Sequence, residues 1–210
     1  MQTRVLLLRH AESTHPHVFN GAESDVPLSP RGHRQAAALA SALVSWAPAA
    51  VVSSAMQRAL QTARPIAAAC GTPLHIEPEL HERKVGELSG KTNAETGGLW
   101  TETLRRWSDG ELDFATPGAE SFLTLQRRAL GAWSRIVAEH EGKTVVVVAH
   151  GHVCRVLLLS LLPGLSPAGW EELGPIRNAA LTELICAGDG WQAVRLAEVP
   201  AAVEQVSGAD

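Results

Sequence analysis

Two histidines stand where chemistry could be done. His10 follows the aliphatic run Val5-Leu6-Leu7-Leu8 and Arg9, and His150 follows the valines of Thr144 to Ala149. Neutral imidazole is a competent nucleophile near pH 7, because its ordinary pKa lies close to that value. Guanidinium groups grip phosphoryl oxygens in a planar fork. Arg9 adjoins His10, and Arg58 ends the run Ser53-Ser54-Ala55-Met56-Gln57-Arg58. A leaving alkoxide needs a proton from an acid with a raised pKa. Glu82, in Leu80-His81-Glu82-Arg83, is the candidate. Nucleophile, oxygen clamps and acid together are the parts of phosphoryl transfer. Taken singly each has a plainer reading: a structural histidine, a solvated helix arginine, a surface carboxylate paired with Arg83 or Lys84.

The elements that must position these residues follow from pattern. Thr3 to Leu8 reads as a buried strand. Ser29-Pro30 opens a helix, Ser as cap and Pro at the first position, with Ala36, Leu39, Ala40 and Leu43 on one face. Ala50 to Ser53 is a second strand, followed by a helix from about Ala55 that Pro65 disturbs and Gly71 closes. Residues 82–118 form a glycine-rich excursion with a short helix bearing Trp100 and Trp107, seven apart and placed to line the substrate mouth. A helix from about Glu120 to His140 precedes Thr144 to Ala149, whose four valines suit a central strand covered on both faces. A helix starts past Gly151, and Ala180 to Cys186 with Trp191 to Leu196 read as a hairpin turning at Gly188-Asp189-Gly190. Alternation of strands and helices implies an α/β, single-domain three-layer fold over 1–210 with a mainly parallel central sheet. Functional crevices in such sheets lie beyond the carboxyl ends of the strands, which is where Arg9, His10, Arg58 and His150 fall.

These segments resemble, in order, the motifs of the histidine phosphatase superfamily. Arg9-His10-Ala11-Glu12-Ser13 is similar to its opening signature, and Asp25-Val26-Pro27-Leu28-Ser29 with Gly32 and Gln35-Ala36 to its second block. Ser53-Ser54 with Arg58-Ala59 and Gln61-Thr62-Ala63 is like the third, and Leu80, Glu82, Gly86 and Gly90 like the fourth. Pro117-Gly118-Ala119-Glu120-Ser121 and Val148-Ala149-His150-Gly151 complete the set. The resemblance implies a phosphoglycerate mutase-like fold and a phosphohistidine on His10. It implies that Arg9, Arg58 and His150 bind the phosphate, that Glu82 acts as acid and then base, and that no metal or cofactor takes part. Ser13, Asn20, Gly21, Arg83 and Gly151 become candidate substrate-binding residues. Arg83 is open between a substrate carboxylate and a solvent-facing charge. Departures are Ala11 for the usual glycine, Pro16 where the family often has asparagine, Leu88-Ser89 for a Trp-Glu pair, and Ala119 for a second glycine. Asn20 or His17 is the candidate to touch phosphate in place of that asparagine.

The formal charge of −4 argues against nucleic acid as partner, yet a locally positive site is compatible with it. No apolar run reaches the length of a membrane span or a signal-peptide core. The three cysteines are widely spaced, so a reducing cytoplasm is the expected location. The histidine pairs at 15/17 and 150/152 lack the further ligands of a metal site, and Gly86 to Thr92 lacks the spacing of a phosphate loop. The expected partner is a small phosphorylated substrate; a homo-oligomer is compatible with the sequence. Hydrolysis of phosphate monoesters is the first reading. A bisphosphoglycerate-dependent mutase is the alternative, favoured by Arg83 and the pair Arg105-Arg106 but opposed by the short stretch from Gly90 to Pro117. A catalytically inactive binding module is the third.

Overall fold

The four valines set the architecture, because successive side chains of a strand leave on opposite faces. Val145 and Val147 enter one apolar cluster, with Phe122, Trp133 and Leu157, whereas Val146 and Val148 enter another, with Leu39, Leu43 and Ile66. All four are fully buried, each burial stabilising by about 1.5–3 kcal/mol. A computed structural model describes residues 2–187 and 190–208. The strands are β1 (Arg4–Arg9), β2 (Ala50–Ser53), β3 (Leu74–Ile76), β4 (Thr144–Ala149), β5 (Leu181–Ala187) and β6 (Gly190–Glu198). The helices are α1 (Pro30–Leu43), α2 (Gln57–Cys70), α3 (Leu99–Ser108), α4 (Phe122–Glu139), α5 (Gly151–Leu161), α6 (Trp170–Leu173) and α7 (Ala201–Ser207).

The sheet runs β3-β2-β4-β1-β5-β6. Strands β3, β2, β4 and β1 are mutually parallel, and β5 and β6 are antiparallel additions. Helices α1, α2 and α7 cover one face and α4 and α5 the other, giving three layers. Register does the positioning. Arg9 lies opposite Ala149, and Ser53 opposite Val148. The next residues of three neighbouring strands, His10, His150 and Ser54, therefore emerge side by side at one edge.

The cap of α1 forms as its sequence suggests: Ser29 Oγ accepts the Gly32 amide at 3.0 Å and donates to Glu12 at 2.7 Å. Gly32 is required here, since a Cβ would stand 1.9 Å from the Glu12 carbonyl oxygen. Gly32→Ala is expected to cost about 1–3 kcal/mol, read as a lowered urea midpoint with unchanged m.

Helix α2 runs through Pro65 and closes at Gly71, as its sequence suggests, with Ala63, Ile66 and Ala67 buried on either side of the proline. One feature differs from the pattern-based expectation. Helix α7 has no clear sequence signature, because it is one short element with Val203 as its buried anchor. The β5–β6 pair is present, while the turn residues Gly188 and Asp189 lie outside the described residues.

Candidate active site

A cavity of about 200 Å³ opens at the carboxyl edge of the sheet, with Arg9, His10, Arg58 and Glu82 in its wall. Arg155 adds a third guanidinium against the one carboxylate, so the cavity is cationic within an acidic protein.

His10 is held by its backbone and by one ring nitrogen. Its amide donates to Ala149 at 2.9 Å, and its carbonyl accepts from Asn178 Nδ2 at 3.1 Å and the Ala179 amide at 3.2 Å. Ring Nδ1 stands 2.6 Å from the Ala11 carbonyl, which has only lone pairs to offer, so Nδ1 carries the hydrogen and Nε2 the free electron pair. Burial, then Arg9 and Arg58, push its pKa well below the ordinary histidine range. The hydrogen on Nδ1 leaves the Nε2 lone pair free.

Both cavity-wall guanidinium groups next to His10 keep one nitrogen without a partner. Arg9 donates from one terminal nitrogen to the Ile176 carbonyl at 2.5 Å, and its buried Nε has no partner. Arg58, at the second position of α2, donates to the carbonyls of Ser24 at 2.7 Å and Asn20 at 3.0 Å; its Nε is also buried and unpartnered. His150 packs 5.1 Å from the His10 ring and is fully buried. Its Nε2 lies 2.8 Å from Ser54 Oγ, which also accepts the Met56 amide. Its buried Nδ1 has no partner. Arg9 Nε, Arg58 Nε and His150 Nδ1 are thus three buried polar atoms without partners, and such atoms are costly to leave unpaired.

Glu82 is buried, not a surface carboxylate. Oε1 accepts the Arg83 amide at 2.8 Å and Oε2 the His152 amide at 3.3 Å. Burial alone would raise its pKa, but His152, His150 and the Arg83 amide outweigh it and hold it well below the carboxylate range. This differs from the raised value an acid needs. The protein's own charges at the site are mostly positive, and two negative charges on a bound phosphate would reverse the balance.

Of the remaining candidates, Ser13, Asn20 and Gly151 line the cavity. Gly151 begins α5, whose first turn donates the His152 amide to Glu82 Oε2. Asn20 turns its amide to the His15 carbonyl at 2.9 Å, and His17 is exposed outside the cavity. Gly21 is a packing position: a Cβ there would meet Val85 at 2.6 Å and the Arg83 carbonyl at 2.9 Å. Arg83 does not face solvent, and it is not in the cavity wall. It is fully buried, donates to the Glu120 carbonyl at 2.8 Å, and lies 5.4 and 5.0 Å from the rings of Trp100 and Trp107. Those tryptophans do not line the cavity. They join Trp170 and Phe122 in an aromatic cluster, where burial of large rings prevails over a place at the mouth.

Sequence reasoning misses His152, Asn178 and Arg155. His152 enters it only as a metal ligand, although it stands two residues past His150 on the same helix start. Asn178 could be found from β5: a strand antiparallel to β1 begins where β1 ends, so the residues before it reach the same edge. Ala179 sits at φ 59°, a left-handed backbone for a residue with a Cβ, costing about 1–3 kcal/mol and held by its bond to His10.

A family model described as the Histidine phosphatase superfamily (branch 1) matches residues 5–199. The chain belongs to the histidine phosphatase superfamily. Among its relatives, the Metal-independent phosphoserine phosphatase of Arabidopsis thaliana is 34% identical over 199 residues, covering 90% of this chain and 79% of that protein. The 2,3-bisphosphoglycerate-dependent phosphoglycerate mutase 2 of Gloeobacter violaceus is 34% identical over 177 residues, covering 80% of each. Among solved structures, the mycobacterial glucosyl-3-phosphoglycerate phosphatase has a TM-score of 0.80 at 27% identity, covering 92% of this chain and 98% of that one.

The buried histidines are expected to make this histidine phosphatase acid-sensitive. Burial lowers the pKa of His10, His150 and His152, so below about pH 6.5 the unfolded chain binds protons that the folded chain refuses. Stability therefore falls as pH drops from 7 toward 5, by at most about 1.4 kcal/mol per pH unit for each such histidine. The melting temperature should decline over that window in wild type and less steeply in His150→Asn.

Proposed function

We propose that the protein is a phosphatase that hydrolyses phosphate monoesters of small metabolites through a phosphohistidine on Nε2 of His10. The observation that carries this reading is the free Nε2 of an Nδ1-anchored imidazole beside unpartnered donors on Arg9 and Arg58 and the partnerless ring nitrogen of His150. Those donors take the phosphoryl oxygens and hold phosphorus in line with Nε2. As the N–P bond forms, the ester P–O bond breaks and Glu82 gives its hydrogen to the leaving oxygen. The resulting carboxylate then takes a hydrogen from water, whose oxygen attacks phosphorus and releases inorganic phosphate from His10. The negative charges of the bound ester are what raise the Glu82 pKa and put a proton on it.

A volume of about 200 Å³ suits a phosphoryl group with a small body, and residues 82–118, through Val85, form one side of the mouth. Unpaired cysteines at 70, 154 and 186 and the lack, among the described residues, of a helix long and apolar enough to cross a membrane fit our placement in the cytoplasm. The similarity to the Gloeobacter mutase keeps that reaction as the second reading. Against it, the arginine pair available to hold a second phosphate is already engaged: Arg105 pairs with Glu102 and Asp109, and Arg106 with Glu102 and Glu111. Hydrolysis of a phosphorylated metabolite panel with chelator present is the test. Release of inorganic phosphate without primer is expected. Phosphoglycerate interconversion that depends on a bisphosphate primer, with no net hydrolysis, would favour the mutase instead.

A further inference from the structure

The reaction above gives His152 no task, yet it stands in the cavity wall against the acid. Its Nδ1 lies 3.5 Å from Glu82 Oε2, and its backbone amide donates to the same oxygen at 3.3 Å. The ring cannot swing freely. It stacks on Trp170 at 5.8 Å and 22°, and Trp100 meets it edge-on at 5.2 Å. Trp170 is itself buried and locked by Trp107 and Phe122. The carboxyl group of Glu82 is thus gripped at both ends, Oε1 by the Arg83 amide and Oε2 by His152. Nδ1 is buried and meets no acceptor other than that carboxylate, at a distance a slight closure would turn into a full hydrogen bond.

We propose that His152 is a positioning residue for the general acid, its Nδ1–H steadying Oε2 of Glu82 through both half-reactions. The inference rests on the phosphohistidine reading and on Glu82 as acid. When Glu82 gives its hydrogen to the leaving oxygen, a carboxylate is left in a buried place, and Nδ1–H stabilises it. When water attacks, the same carboxylate takes one hydrogen from it and is the acid again. His152 keeps its own hydrogen throughout. The aromatic cage fixes the imidazole, the imidazole fixes the carboxyl, and a carboxyl held to within a fraction of an ångström transfers protons faster than one free to rotate.

The test compares a poor leaving group, glycerol phosphate, with a good one, 4-nitrophenyl phosphate, in Glu82→Gln, His152→Phe, His152→Asn and the double variant. Phe keeps the ring in its cage and removes the N–H; Asn returns an amide N–H near Nδ1. His152→Phe is expected to lower kcat on glycerol phosphate about 10- to 100-fold, to change 4-nitrophenyl phosphate less than about 3-fold, and to leave KM in place. His152→Asn should recover most of the loss, while His152→Gln, whose amide reaches toward the Nε2 position, should not. Added to Glu82→Gln, His152→Phe should cost nothing further, because both changes remove one unit. Equal losses on both esters, rescue by Gln as good as by Asn, or effects that multiply would overturn the role of His152. Should His152→Phe not fold, the Asn–Gln contrast alone decides. If Glu82→Gln itself shows no dependence on leaving group, the acid reading falls first and this inference with it. If Glu82→Gln shows that dependence and His152→Phe does not, only this inference falls.

Discussion

His10→Ala is expected to remove about 10⁴- to 10⁶-fold of kcat, with the fold intact. The size follows from the mechanism: without Nε2 there is no covalent intermediate, and water alone must attack a phosphorus held by the remaining donors. The ring is 4% exposed and its backbone bonds to Ala149, Asn178 and Ala179 do not need it, so the sheet edge should stay formed. Rapid quench of wild type with a labelled ester should trap a phosphoprotein that is labile to acid and stable to base, and His10→Ala should trap none. Undiminished turnover in the variant, or label on another residue, would refute the nucleophile.

Arg58→Lys is expected to lower kcat/KM about 10²- to 10⁴-fold on every phosphate ester, aryl and alkyl alike. Lysine keeps the charge but loses the fork. In Arg58 the two terminal nitrogens donate to the carbonyls of Ser24 and Asn20, which fixes the plane of the guanidinium in the cavity wall, and its Nε has no partner. A lysine ammonium cannot serve those carbonyls and a phosphoryl oxygen in the same geometry. Inhibition by inorganic phosphate should weaken in parallel, because product and transition state share the contact. Loss of 20–24 loop order would instead appear as a lower melting temperature with phosphate affinity preserved. Uniform loss across leaving groups separates Arg58 from Glu82, whose removal should hurt poor leaving groups most.

What can be read from sequence divides by the range of the forces involved. β1 and β4 are legible because their apolar runs are short, β-branched or aliphatic throughout, and bounded by polar residues, which suits a strand buried on both faces. His10, Arg58 and His150 are legible because each follows a strand closely, and parallel strands bring such residues to one edge whatever the register turns out to be. Ser29 and Gly71 act within a turn of their own helices, so their roles are local. Arg83 is not legible: its burial depends on Trp100 and Trp107 folding back over it, and nothing within a few residues of Arg83 announces that. His152 and Asn178 escape for the same reason, their partners Glu82 and His10 being 70 and 168 residues away. Glu82 is found by its neighbours in sequence, but its charge balance is a property of the assembled cavity and cannot be.

Both hydrogen-bonding neighbours of β1 come from far along the chain, β4 beginning at Thr144 and β5 at Leu181. During synthesis His10 is therefore made early and set late. Until the segment through Ala180 has left the ribosome, His10 lacks its clamp from Asn178 and Ala179, and Arg9 lacks the Ile176 carbonyl. A nascent chain stalled before that point carries a reactive histidine without a catalytic centre, so activity should switch on in one step with the last strands, not grow with chain length.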